Sequence, residues 1–356
     1  MLLETTAISI TEVAFAAGFH SVRQFNATVR EIFALAPSEL RSRAQRHGRA
    51  EESGEVVLRL PYRAPLDGDG LLGYLGRRAV PGVEEVLDGA YRRSLRLPHG
   101  AGIVELAPVE GHIRGRFWLE DLRDLAAAVQ RCRALLDLDA DPHAVTEALG
   151  SDALLGALVR AAPGRRVAGH VDGHELAIRA VLGQQVSLTG ATTLAARLVS
   201  SCGQPLDRPL GTVTHLFPSA EELAAADPAW LAMPRARREA LLSLATALAE
   251  GELALDAGAD RDEAWRRLLA LPGIGPWTAG YIAMRALRDP DAFLASDLGV
   301  RHALARLGQD DRPAAAERLS QRWRPYAVQY LWAQLASDGP AIPAAAPLSE
   351  RDRLAA

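Results

Sequence analysis

The residues best suited to chemistry lie in one stretch, Leu271-Pro272-Gly273-Ile274-Gly275-Pro276-Trp277-Thr278-Ala279, followed further along by Ala295-Ser296-Asp297-Leu298. Gly273 and Gly275 carry no Cβ, so the backbone there can turn sharply and bring its N–H groups close to a phosphate oxygen. Pro276 suits the first position of a helix, where a missing N–H leaves no bond unmade. A carboxylate shortly downstream, Asp297, can then act on a nucleotide held by the turn.

Two helices must position that turn. Glu263 to Leu269 reads as an amphipathic helix ahead of it, and Trp277 to Leu287 continues at helical period behind it, with Ile282, Ala283 and Ala286 on the apolar side. The pattern is a helix-hairpin-helix, which grips a duplex backbone without reading bases, because phosphate contacts carry no sequence information directly. The amides in and just after the turn, at Gly273, Ile274, Gly275 and Thr278, are the expected phosphate ligands. Asp297 has a plainer reading as the cap of a helix from Leu298 to Leu307, a common place for aspartate. The two roles are compatible.

With Phe293-Leu294-Ala295-Ser296-Asp297-Leu298-Gly299-Val300-Arg301, the hairpin resembles that of the helix-hairpin-helix DNA glycosylase superfamily, in particular its AlkA branch, the DNA-3-methyladenine glycosylases II. Three more blocks follow the family order: Tyr62 to Glu84, Ile178-Arg179-Ala180-Val181-Leu182-Gly183-Gln184-Gln185-Val186-Ser187, and Trp323 to Trp332. The resemblance runs from about Leu58 to about Ser337 and implies that Asp297 is the catalytic residue. It also implies that Tyr74, Trp277, Tyr281 and Trp332 line an aromatic base pocket and that Gln185 fills the gap left by an extruded base. Trp118, Trp230 and Trp265 match no pocket position and are expected in the core.

Some positions depart from the pattern. Gln185 stands where some members carry an apolar wedge, Leu298 where some carry an aromatic pocket wall, and Ser296 where some carry a second acidic residue. In the family the hairpin carbonyls can hold a monovalent cation, Na+ or K+, which by position implies the main-chain oxygens of Leu269, Leu271 and Ile274. No cofactor is expected to be required for the reaction.

The chemistry follows from the residue types. An enzyme acting on a base takes it out of the stack, and aromatic walls accept it by stacking. A purine alkylated to a cation is favoured by such walls through cation–π attraction. If the glycosidic bond opens toward an oxocarbenium-like sugar, one carboxylate stabilises the developing charge and orients or deprotonates water.

Composition then removes branches. The chain contains no lysine, so all 40 of its basic Lys+Arg residues are arginine. Glycosylases that also cut the strand commonly use a lysine amine to form a Schiff base with the sugar, so the expected reaction is base release alone. Cys132 and Cys202 are the only cysteines, too few for a four-cysteine iron–sulfur cluster or zinc site. A net charge of −4 confines nucleic-acid binding to a local arginine face and backbone amides. There is no signal-like amino terminus and no apolar run long enough to span a bilayer, so a cytoplasmic protein is expected, acting as a monomer on double-stranded DNA with no membrane partner.

The expected architecture is multidomain α+β: an N-terminal helix-turn-helix, an antiparallel α+β domain, then an all-helical helix-hairpin-helix glycosylase core. Residues 1–45 hold the first piece, with helices from Ile10 to Ala17 and from Val22 to Phe33 turning at Gly18. Ala14, Gly18-Phe19, Ser21, Arg23-Gln24-Phe25 and Pro37 to Arg41 resemble the second helix-turn-helix of AraC-type and Ada-type regulators. In that geometry the second helix enters the major groove, which makes Ser21, Arg23, Gln24 and Asn26 the candidate DNA-facing residues and leaves Phe15 and Phe25 for the core. The module starts partway through, so either a reading frame begins upstream of Met1 or the piece is a remnant adding non-specific affinity.

Residues 46–55 read as a linker, with basic residues giving way to acidic ones. Residues 56–140 carry strands at Val56–Leu60, Tyr91–Leu97, Gly102–Leu106 and His112–Trp118, with helices at Leu71–Arg78 and Leu119–Leu138. Residues 141–340 read as nearly all helix, and the Ala-Pro-rich stretch 341–356 as a mobile tail. Two rival functions remain open: a DNA-binding regulator in which Asp297 is only a cap, and a glycosylase for oxidised or mismatched bases.

Overall fold

The computed structural model describes residues 8–33, 36–38, 55–226, 233–256, 258–319 and 322–336. The expected linker up to residue 54, Trp230 and the tail 341–356 lie outside them. The chain divides into two compact units, one built from the residues up to Pro142 with Ala168–Val171 and Gly203–Phe217, the other from the rest.

The first unit opens with α1 (Ile10–Ala16) and α2 (Val22–Phe33). Ser9 and Glu12 form a reciprocal capping box that starts α1, satisfying two end N–H groups at once. Gly18 turns the chain at φ +82, and Val13, Ala14, Phe25 and Val29 bury one another in a small core. Phe15 does not join them. It is 41% exposed, because positions 13, 14 and 16 face inward and residue 15 falls on the opposite side of so short a helix.

A five-stranded antiparallel sheet follows, from β1 (Val56–Pro61), β2 (Glu84–Leu87), β3 (Ala90–Leu97), β4 (Gly100–Val109) and β5 (His112–Leu119), in the order β1-β5-β4-β3-β2. Helix α3 (Gly68–Gly76) lies between β1 and β2 in the chain, and a 3-10 turn at Leu122–Asp124 leads into α4 (Leu125–Leu135). In β1, Val56, Leu58 and Leu60 point inward and the alternate residues outward, the period-two signature of a half-buried strand.

β2 is absent from the sequence-based expectation, since Glu84-Glu85 has low strand propensity. Cross-strand charge holds it instead: Arg93 pairs with Glu84 at 3.0 Å, and Arg92 binds both Glu85 and Glu105. The Glu84–Arg93 pair is buried, with the Tyr91 hydroxyl donating to Glu84 at 2.6 Å and the Val80 N–H donating at 2.9 Å, which satisfies the carboxylate inside the unit. Leu119 belongs to β5, so the expected helix from Leu119 begins only at Leu125.

The expectation of an all-helical second half is corrected at one place. Pro205–Leu210 (β6) and Val213–His215 (β7) form a two-stranded ribbon around Gly211 and cluster with the first unit. Two prolines and an aspartate hide the strand in the sequence. Its turn docks through Thr212, whose N–H donates to Glu85 at 3.0 Å.

The second unit is helical: α5 (Pro142–Gly150), α6 (Ala153–Ala161), α7 (Gly173–Leu182), α8 (Leu188–Cys202), α9 (Ala220–Ala224), α10 (Arg235–Ala249), α11 (Arg261–Ala270), α12 (Pro276–Arg285), α13 (Leu298–Arg306), α14 (Pro313–Ala316) and α15 (Arg324–Ala336). At its centre α7 buries seven of its ten residues and packs against both α10 and α12. Asp152, Asp172 and Asp260 each cap a helix by accepting two backbone N–H bonds. Among the described residues no helix is long and apolar enough to cross a membrane.

Candidate active site

The hairpin forms where expected, with α11 ending at Ala270 and α12 starting at Pro276. Gly273 sits at φ +75, and a Cβ on it would lie 2.7 Å from the Cβ of Ala240 on α10. Glycine is therefore needed twice, for the left-handed turn and for close approach to α10. At Gly275 a Cβ would meet nothing within 4 Å, and no side chain caps α12. The N-terminus of α12 thus keeps its end N–H groups free of any side-chain cap, as an anion there requires.

The turn is tied down by a residue that motif reasoning passed over. Gln184 Nε2 donates to the Gly273 carbonyl at 2.9 Å and to Thr278 Oγ1 at 3.0 Å. Thr278 is 3% exposed, so its hydroxyl is occupied inside the fold and only its main-chain N–H is suited to a phosphate. Arg237 stands one helical turn before Ala240, and burial without a paired carboxylate among the described residues pushes its guanidinium pKa down. Next to Gln184, Gln185 is exposed at the tip of the α7–α8 turn with φ +54, a left-handed conformation that a non-glycine residue adopts at a cost and that clusters at functional sites.

Asp297 caps α13, its Oδ1 accepting from the Val300 N–H at 2.8 Å. Oδ1 also accepts from Trp332 Nε1 at 2.7 Å, and Oδ2 accepts from Trp277 Nε1 at 2.8 Å. Three N–H donors therefore fix a carboxylate that is 9% exposed. Trp277 stacks on Tyr281 with centroids 5.5 Å apart and planes 12° from parallel, and Tyr281 lies 6.4 Å from Trp332 at 45°. All three rings are half-buried, as is Leu298 at the start of α13. Close contact between α13 and α15 depends on Gly299, where a Cβ would lie 3.0 Å from both Asp297 and Trp332.

The structure thus gathers Asp297, Trp277, Tyr281, Trp332 and Leu298 in the second unit. Tyr74 belongs to the first unit, where it is buried with the Arg78 guanidinium 3.8 Å from its ring centroid. Trp265 packs near Gly280 and Trp118 beside Arg116, both half-buried. Of the residues expected to face DNA on α2, Ser21, Arg23 and Gln24 are exposed, and Ser21 accepts the Gln24 N–H as a cap. Asn26 is half-buried, with its amide oxygen inside.

The cysteines offer no nucleophile. Burial pushes the Cys132 thiol up to about 12, and burial also raises that of Cys202, so neither forms a thiolate readily. The Leu271 oxygen accepts one bond, from the Ile274 N–H at 3.2 Å, leaving a second lone pair. Leu269 lies in the last turn of α11, where carbonyls carry the negative end of the helix dipole.

A glycine hairpin, a carboxylate gripped by two indoles and a stacked aromatic wall on helices define a helix-hairpin-helix base-excision architecture. Residues 57–172 match the AlkA N-terminal domain, and residues 178–326 match the HhH-GPD superfamily base excision DNA repair protein family. A Mycobacterium tuberculosis protein titled "Probable bifunctional transcriptional activator/DNA repair enzyme AlkA" is 53% identical over 340 residues, 94% of this chain and 68% of that one. The Escherichia coli DNA-3-methyladenine glycosylase 2 is 37% identical over 283 residues, 77% of this chain and 95% of that one. A 3-methyladenine DNA-glycosylase structure from Archaeoglobus fulgidus shares the fold, with a TM-score of 0.67 at 23% identity over 78% of this chain and 97% of that one. The chain belongs to the AlkA family of helix-hairpin-helix DNA glycosylases.

Proposed function

We propose that the protein is a monofunctional DNA glycosylase that excises alkylated purines such as 3-methyladenine from duplex DNA in base excision repair. The observation that carries this reading is Asp297, held by two indole N–H groups at 2.7 and 2.8 Å beyond its capping bond. A cap alone has no use for those indoles. Family membership and the names of the Escherichia coli and Archaeoglobus fulgidus relatives support the substrate class.

In this reading the amides of Gly273, Gly275 and Thr278 hold a backbone phosphate, that of Ile274 being engaged by the Leu271 carbonyl, and Gln185 enters the duplex where the base leaves. The extruded base stacks among Trp277, Tyr281 and Trp332, with Leu298 beside them. As the glycosidic bond lengthens, positive charge grows on the sugar, and the fixed Asp297 carboxylate stabilises it without reorganising. Water then attacks the anomeric carbon, its proton passing to solvent or to the carboxylate, and leaves an abasic site.

With no lysine in the chain, strand cleavage through a lysine Schiff base is closed to the protein. A Na+ or K+ on the oxygens of Leu269, Leu271 and Ile274 supports phosphate binding and takes no part in the bond breaking. Helices α1 and α2 add DNA affinity through Ser21, Arg23 and Gln24. The protein works as a cytoplasmic monomer.

The test is a duplex carrying one 7-methylguanine or hypoxanthine, incubated with the protein and then treated with alkali. Strand breaks appearing only after alkali are the expected result. Breaks without alkali overturn the monofunctional assignment, and no breaks on any lesion favour a protein that binds DNA without acting on it.

A further inference from the structure

Trp277, Tyr281 and Arg285 are spaced four apart on α12, so their side chains follow one another along a single face of the helix. The first is tied to the Asp297 carboxylate through its indole N–H. The second stacks on the first. The third is 4% exposed, donates from Nη1 to the Tyr281 hydroxyl at 2.6 Å and keeps its guanidinium carbon 5.5 Å from that ring's centroid. One end of the aromatic wall therefore carries an anion and the other a cation, linked through two stacked rings.

The two ends act on the rings in opposite ways. An indole that donates to a carboxylate becomes richer in π density, which strengthens its hold on a cationic base. A phenol that accepts from a guanidinium becomes poorer, and the guanidinium itself repels a cation lodged against the ring. A buried arginine is expensive to desolvate, and its placement against one pocket wall bears directly on which bases that wall prefers.

We propose that Arg285 is a specificity-determining residue, whose charge acting through Tyr281 restrains the pocket's preference for cationic bases and so admits neutral lesions. The inference rests on the reading of this cluster as the base pocket. Arg285 touches no substrate and acts through the tyrosine.

The experiment compares single-turnover excision of 7-methylguanine, which is cationic in DNA, with that of hypoxanthine, which is neutral. Arg285→Gln keeps a donor for the Tyr281 hydroxyl and removes the charge, Arg285→Met removes both, and Arg285→Lys keeps the charge. The neutral variants are expected to raise the ratio of cationic to neutral excision by roughly tenfold, the scale of one charge acting across a partly desolvated ring. Arg285→Lys is expected to hold the ratio within about twofold of the parent, on the same charge argument. A merely structural role lowers both rates together and leaves the ratio still, and that result, in whichever neutral variant folds, overturns the proposal. A parent protein that excises neither lesion defeats the glycosylase reading instead, so the two failures are distinct.

Discussion

Of the helix pairs in this protein that turn through a glycine in the left-handed region, two come to different ends. At Gly18 between α1 and α2, φ is +82 and a Cβ would meet nothing within 4 Å; at Gly273 between α11 and α12, φ is +75 and a Cβ would press on Ala240 at 2.7 Å. The first turn stands open, on a small core of four buried side chains. The second is wedged against α10, tied by Gln184 and followed by an aspartate locked to two tryptophans. The same local device is a connector in one place and the footing of the proposed reaction centre in the other, and what differs is the packing around it.

The sharpest way to break that contrast is at the aspartate. Asp297→Asn is expected to lower single-turnover excision by roughly two to three orders of magnitude, since a preorganised charge is lost. Asparagine keeps the helix cap but turns an amide N–H2 toward an indole N–H that the carboxylate accepted, so stability should fall by about 1–3 kcal/mol. Asp260→Asn, the same exchange at a cap that accepts only the Asp262 and Glu263 N–H groups, should leave the excision rate unchanged. Equal losses in both variants would reduce Asp297 to a cap.

Next in size is the pair of turns. Gly273→Ala meets both a positive φ and a clash, and should cost about 1–3 kcal/mol by urea unfolding, with weaker binding to duplex DNA. Gly18→Ala meets the φ penalty alone, about 1 kcal/mol, and should leave excision untouched. A Gly273→Ala protein as stable as Gly18→Ala would mean that the wedge against Ala240 relaxes freely.

A smaller effect is expected from Gln184→Ala, which removes two hydrogen bonds to the hairpin and should cost about 1–2 kcal/mol. With the turn as the proposed DNA grip, KM should rise more than kcat falls; the reverse split would place Gln184 in the chemistry. Smallest is Ser21→Ala, which deletes the cap bond to Gln24 and should cost about 1 kcal/mol with no change in the excision rate.

Much of the helical unit was legible because its signals are local. Pro276 at the first position of α12, the glycine hairpin and the cap of α13 each depend on a few neighbouring residues. The elements that escaped are those whose reason lies elsewhere in the chain. β2 is acidic and forms because Arg92 and Arg93 on β3 answer it, and the β6–β7 ribbon is held through Glu85 and the Gly82 carbonyl. Phe15 illustrates the same limit, since a short helix with several apolar residues does not announce which one is left outside.

Within the site, residue types were readable and partners were not. Asp297, Trp277, Tyr281 and Trp332 stand in the sequence as a carboxylate and three aromatics, with a cap equally open to the aspartate. Neither the Gln184 bonds nor the Arg285 bond to Tyr281 follows from the hairpin motif, because no short motif specifies which polar group will be buried against which.

By itself the sequence determined what backbone and composition dictate. It set the turn at Gly273, a proline-led helix behind it, the absence of any lysine amine and the position of one carboxylate. Only the tertiary structure decided that this carboxylate is gripped by two indoles from helices α12 and α15, and that the aromatic wall ends in a buried guanidinium. The physical reason is range. Dihedral preference and charge inventory belong to single residues or to near neighbours, whereas a hydrogen bond between Trp332 and Asp297 exists only once the folded helices bring 35 residues of separation to within 2.7 Å.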